Sequence, residues 1–197
     1  MPICEILNKY CLKHSYINLI IHELLPEEII EKFNNYNDAI GLLSVPDYQL
    51  DSLNLCKYNL SFQPFHESES IVCVGKNTPL SKRSSFKLNE IIEHPFVIYD
   101  SGQSAEIIEH VLAPFGKPNI YLKTSNLKLY RETIANGLAI GITTSFLENF
   151  EKNDSVVSIP LEEGYKFHLG FLYSTEKSPN LAILDFISEI KSLIKRI

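Results

Sequence analysis

The residues Glu132 to Leu147, ETIANGLAIGITTSFL, carry two glycines four positions apart among aliphatic residues, followed by a run of hydroxyls. A glycine loop that cradles phosphate runs strand, glycine turn, helix, so that free N–H groups and the positive end of the helix dipole meet the anion. Here the order is reversed. Asn126 can cap a helix whose inward face is Leu129, Tyr130, Thr133 and Ile134, and Gly137 stands where that helix has to stop, because glycine tolerates the left-handed conformation after a helix end. AIGIT (139–143) then reads as a strand, with Gly141 where a missing side chain lets neighbouring structure approach, and SFLENF (145–150) as a short helix. The lysine of a phosphate loop is missing as well, since Ile142 follows Gly141. The stretch is a joint between helix and strand.

The same alternation extends in both directions. Upstream, Ile3, Ile6, Leu7, Tyr10 and Cys11 repeat at helical spacing, YINLIIHE (16–23) predicts a buried strand, and PEEIIEKF starts a helix at Pro26 with two glutamates in its first turn. DAIGLL (38–43) predicts a strand. In LSFQPFHESESIVCVG (60–75), Pro64 and the polar HESES separate two strand-like pieces and mark a crossing between lobes. FKLNEIIEHP is a short helix stopped by Pro95, FVIYD (96–100) a strand, and Ile108, Val111, Leu112 and Phe115 form one face of a helix over 104–115. VVSIPL and FHLGFLY (167–173) are strands, and Ser178-Pro179 opens a closing helix with Ile183, Phe186, Ile187, Ile190 and Ile194 on one face. Strands alternating with helices predict α/β architecture with mostly parallel strands.

A chain of 197 residues holds one domain or two small lobes. With 18 Lys+Arg against 24 Asp+Glu, its net charge of -6 repels a phosphate backbone, so the chain by itself is not expected to grip nucleic acid. No apolar run approaches the ~20 residues of a membrane span. The N-terminus carries no secretory signal pattern, which predicts a cytoplasmic protein. Cys4, Cys11, Cys56 and Cys73 form no CxxC pair and are expected to be reduced core residues, and no metal or cofactor is expected.

The catalytic constellations are weak. Ser104 in SGQSAE has the place of a nucleophile elbow, but Glu106 replaces the second glycine and a helix cap is the simpler role. The six histidines are scattered, without HExxH or an orienting carboxylate in sequence, and read as surface or strand-end positions. An anion site is better supported. Ligands in open α/β sheets sit beyond the carboxyl ends of strands. Two such ends, DSGQS after the strand 96–100 and TSN (124–126), are rich in hydroxyl and amide groups and precede helices. Ser101, Ser104 and Asn126 could equally do no more than cap those helices.

The run from YINLIIHELLPEEIIEKFNNYNDAIGLL through LSFQPFHESESIVCVGKNTPL, LNEIIEHPFVIYD and TIANGLAIGITTSFL to LGFLYS and LDFISEIK resembles the effector-binding domain of LysR-type transcriptional regulators. The resemblance covers nearly all of the chain in the right order, and it is the succession of spacings that is distinctive. It implies a type 2 periplasmic-binding-protein-like fold of two α/β lobes joined by two crossover strands, near 60–66 and 158–167. Lobe I would comprise 1–62 and 163–197, lobe II 63–162, with a small effector bound between them. By carry-over the ligand would meet Tyr99, Ser101, Gly102, Gln103 and Ser104, then Thr124, Ser125 and Asn126, and the region of Pro26; Thr143, at the end of its strand, is a weaker candidate. Pro26 stands where family members often have Ser or Thr, so that contact is in question.

The resemblance also implies a homodimer, with helix 3–14 and its strand packed against the partner's helix 104–115, and a tetramer in a full-length regulator. DNA would be reached only through the family's N-terminal winged helix-turn-helix, which has no counterpart in these residues. The family's first strand is missing too, since Met1-Pro2 enters almost directly into the first helix. The expected function is regulatory and not enzymatic. The alternatives are a solute-binding protein of transport, which shares the fold, and a stand-alone ligand-binding protein.

Overall fold

The alternation of apolar residues in IVCVG (71–75) and FVIY (96–99) decides how the middle of the chain is layered. In the computed structural model, which describes residues 3–22, 24, 26–36, 38–99, 108, 110, 112–150 and 154–194, Ile71 and Cys73 turn to one face of their strand and Val72 and Val74 to the other, all buried. Val97 likewise faces opposite to Phe96 and Ile98. Both faces of these strands are covered, which is why the sequence reads as continuous apolar runs.

In chain order the elements are α1 (Ile3–Lys13), α2 (Pro26–Lys32), β1 (Gly41–Pro46), β2 (Leu60–Gly75), β3 (Phe86–Lys87), α3 (Leu88–Ile91) and β4 (Pro95–Tyr99). There follow β5 (Asn119–Thr124), α4 (Leu127–Ala135), β6 (Gly141–Thr144), α5 (Ser145–Phe150), β7 (Val156–Glu162), β8 (Lys166–Ser174) and α6 (Leu181–Ile194). The chain divides into two units, Met1–Ser68 with Phe167–Ile197, and Glu69–Lys166. These divisions fall a few residues C-terminal to the lobe limits expected from sequence.

In the first unit β1 runs antiparallel to β8, from Gly41 opposite Leu172 to Pro46 opposite Phe167, and β8 pairs with β2 on its other side. Ile30 and Phe33 from the α2 region close over Leu43, Val45, Leu60 and Leu172. Each such side chain removed from water contributes about 1.5–3 kcal/mol. Helix α1 packs on α6: the buried Tyr10 donates its hydroxyl to the Ala182 carbonyl (3.2 Å) and meets Phe186 edge-on at 5.0 Å.

In the second unit β2 pairs antiparallel with β6 and β7, β3 lies parallel to β7, and β4 lies parallel to β5. The hydrogen bonds Val97 N–H to Ile140 (2.9 Å) and Ile140 N–H to Pro95 (2.8 Å) form a parallel bridge between β4 and the chain entering β6. Helix α4 covers one face with Tyr130 and Ile134; Ile91, Ile108 and Leu112 cover the other.

Several expectations are corrected. The strands form mixed sheets, because pairs β1/β8, β2/β6 and β2/β7 are antiparallel. Residues 60–75 make one continuous strand: Pro64 falls at an exposed position, where a missing donor is tolerated, and HESES alternates between exposed glutamates and buried serines. Residues 17–22 form no strand, and Tyr16, Ile20 and Ile21 stand exposed at 81, 82 and 66%. Among the described residues no neighbouring strand takes up their N–H and C=O groups. Leu129 and Phe115, expected inward, are 44 and 43% exposed. Cys11 and Cys56 are exposed, leaving Cys73 as the core thiol among the described cysteines. The closing helix starts at Leu181, where the Asn180 side chain accepts the Ile183 N–H at 2.9 Å. No helix among the described residues is long and apolar enough to cross a membrane.

Candidate functional site

Parallel pairing puts strand ends side by side. Tyr99, the last residue of β4, lies in register with Thr124, the last residue of β5. The bridge at Ile140 sends β6 along the same direction, so Thr143 and Thr144 approach the same edge of the second unit. Three strand ends, β4, β5 and β6, thus converge where an α/β sheet offers ligand positions.

The end of β5 is organised by its own polar groups. The Asn126 N–H donates to Thr124 Oγ1 (3.0 Å), and Asn126 Oδ1 accepts the Leu129 N–H (3.0 Å), capping α4 as the sequence predicts. The first N–H groups of α4, at Leu127 and Lys128, have no carbonyl one turn back within the helix, and point with the positive end of its dipole. Ser125 and Asn126 are exposed; Tyr99 and Thr124 are half-buried, and the Tyr99 ring stands edge-on to Tyr130 at 6.0 Å. At β6, Thr144 Oγ1 accepts the Leu147 N–H (3.3 Å) at the start of α5, while Thr143, half-buried, lies opposite Ile71 of β2.

The structure therefore brings together Tyr99, Thr124, Ser125 and Asn126, with Thr143 on the adjoining strand. Ser101, Gly102, Gln103 and Ser104 lie outside the described residues. Pro26 is the first residue of α2 and belongs to the other unit. A cavity of about 300 Å³ opens at the start of β4 and the entry to β6, lined by Val74, Pro79, Leu80, His94, Pro95 and Ile140. Its walls are mainly apolar, whereas the hydroxyl and amide groups lie at the carboxyl ends.

Two arrangements were not legible in sequence because their members are far apart in the chain. His168 on β8 hydrogen-bonds through Nε2 to Asp47, with Glu67 3.9 Å from its Nδ1, which corrects the expectation of histidines without an orienting carboxylate. His14, at the end of α1, is buried and faces Asp185 and Glu189 of α6. The buried Cys73 donates to Glu148 (3.8 Å); burial, with the Glu148 carboxylate second, pushes its thiol pKa up to about 12, so it is a packing residue and not a nucleophile.

Comparison with known proteins agrees with this architecture. The LysR substrate binding domain family matches residues 2–194. Among solved structures, the Synechocystis CcmR regulatory domain in complex with 2-PG superposes with a TM-score of 0.75 at 17% identity, covering 99% of this chain and 92% of that one. The effector-binding domain of QuiR in complex with shikimate gives 0.69 at 17% identity, over 98% of this chain and 90% of that one. HinK, a LysR family transcriptional regulator from Pseudomonas aeruginosa, gives 0.73 at 11% identity; 98% of this chain covers 66% of that one. Curated protein sequences provide no match. With the family matched along nearly its whole length, and the fold shared with regulatory domains, the chain belongs to the LysR substrate-binding domain family, the small-molecule-sensing part of transcriptional regulators.

Proposed function

We propose that this chain senses a small anionic metabolite at the carboxyl ends of β4, β5 and β6, through Tyr99, Thr124, Ser125, Asn126 and Thr143, with the segment Ser101–Ser104 completing the contacts. The observation that carries the reading is the register of Tyr99 with Thr124 beside the N-terminus of α4. Hydroxyls and an amide stand beside the first-turn N–H groups of α4, and such groups suit a carboxylate or phosphate better than an apolar ligand. That similar folds hold 2-PG and shikimate, both small and oxygen-rich, supports the same choice.

The ligand acts by population shift: it favours one conformation of the domain by the difference in its affinity for the two. In a complete regulator the shift passes to a DNA-binding domain outside this chain and alters promoter occupancy. The domain works in the cytoplasm, as a homodimer and within a tetramer of the complete regulator. The exposed Leu12, Tyr16, Ile20 and Ile21 offer the apolar surface such an assembly needs.

A thermal-shift screen tests the site. Carboxylates and phosphorylated acids, 2-PG and shikimate among them, are expected to raise Tm. A ligand at 100 times its Kd stabilises by about 2.7 kcal/mol. Thr124→Ala and Ser101→Ala should each weaken the response about tenfold or more, the loss of a charged hydrogen bond being worth ~1.5–3 kcal/mol. Stabilisers that act equally on both variants would place the ligand elsewhere.

A further inference from the structure

The junction of α1 with α6 sets a buried imidazole against two carboxylates, and two of the facing polar atoms make no hydrogen bond. His14 directly follows α1 with only 9% of its surface exposed, its ring stacked on Tyr10 at 4.4 Å. Its Nε2 lies 3.2 Å from Asp185 Oδ2 and 3.6 Å from Glu189 Oε2, and neither Nε2 nor Glu189 Oε2 makes a hydrogen bond although both are buried. A buried polar atom without a hydrogen-bond partner is costly. Two of them facing each other call for something that takes a lone pair from each.

The geometry points to a divalent transition-metal site, of the Zn²⁺ class, formed by His14 Nε2, Asp185 and Glu189. One ligand atom from each of the three lies within 4.8 Å of the other two. A tetrahedron with bonds of about 2.0–2.2 Å has edges of about 3.3–3.6 Å, which brackets or closely approaches both distances from the imidazole nitrogen. Asp185 and Glu189 are one helical turn apart on α6, so both carboxylates leave the same face.

The surroundings fit the role. Lys13 donates to Glu189 Oε1 (2.9 Å), occupying one carboxylate oxygen and leaving Oε2 to bind singly. His14 Nδ1 lies 3.3 Å from the Tyr16 hydroxyl; with Nε2 on the metal, Nδ1–H donates to that oxygen and fixes the tautomer and ring orientation. Two carboxylates supply negative charge toward a 2+ ion, against the Lys13 ammonium on Glu189 Oε1. Asp185 is half-exposed, which leaves a route in and a fourth position for water. The site ties the end of α1 to α6 within the first unit, whereas the strand ends that carry the proposed effector belong to the second.

The test uses the full chain with Cys4→Ser, Cys11→Ser and Cys56→Ser, so that accessible thiols do not bind metal. After EDTA treatment and dialysis into metal-free buffer near neutral pH, calorimetric titration should find one equivalent of Zn²⁺, and Co²⁺ should give visible d–d bands. Asp185→Asn, at a half-exposed position that folding tolerates, and His14→Gln should each weaken Zn²⁺ binding at least about tenfold, with circular dichroism unchanged in the aspartate variant. Absence of stoichiometric Zn²⁺ binding by the thiol-free protein, or undiminished affinity in Asp185→Asn, overturns the assignment.

Discussion

Cys73 is the clearest case of a residue whose chemistry follows from its place and not from its type. The cysteines look alike in sequence, yet Cys11 and Cys56 are exposed while Cys73 is buried beside Glu148, where its thiol is pushed up to about 12 from an ordinary 9.0. A thiol whose pKa is raised on folding contributes stability that is complete below the unfolded value; it is lost as pH rises through the folded one. The stability at stake therefore falls between about 9 and about 12. At pH 8 iodoacetamide should label Cys11 and Cys56 readily and Cys73 only after unfolding, as peptide mass spectrometry would reveal. Equal labelling of all three would contradict the burial. The histidines teach the same lesson: His14 and His168 look alike as isolated residues, and their carboxylate partners come from distant elements.

At the scale of elements, the passage from α4 to β6 was legible because its signals are local. Asn126 caps, Gly137 stops the helix with φ of 69°, and Gly141 lies in the strand, as their neighbours in sequence predict. The structure adds the reason for Gly141. A Cβ there would come within 2.3 Å of the Tyr130 hydroxyl oxygen and 2.7 Å of Ile134 Cδ1, so α4 sits directly on the strand. Gly141→Ala should therefore destabilise the protein by about 1–3 kcal/mol, as overpacking does. Urea unfolding would measure this as a lower midpoint with unchanged slope; a wild-type midpoint would mean that α4 is not so closely applied. The strand expected over 16–23 failed for the opposite reason. Its apolar pattern is real, but a strand requires a neighbour.

At the scale of the molecule, these exposed residues bear on assembly. Leu12, Tyr16, Ile20 and Ile21 are 83, 81, 82 and 66% exposed, and all belong to the first unit. Covering them against a second copy removes a large apolar area from water, so the 22.5 kDa chain is expected to run at twice its mass by light scattering at micromolar concentration. Ile20→Glu should shift it toward the monomer. A monomeric wild type at those concentrations would refute the dimer. Of the candidate site, the segment 124–126 could be read from sequence because a strand end followed by a cap is a local pattern. That Thr124 lies beside Tyr99 could not, because register belongs to the pairing of β4 with β5.

By itself the sequence determined the passage from α4 to β6 with its Asn126 cap and Gly137 stop, the apolar strand over 96–99 and the family, because each rests on periodicity or on residues a few positions apart. Tertiary structure alone decided the strand directions, the failure of residues 17–22 to join a sheet, and the meeting of His14 with Asp185 and Glu189. Those depend on which distant segments lie close enough to exchange hydrogen bonds or share charge, and no local pattern encodes that proximity.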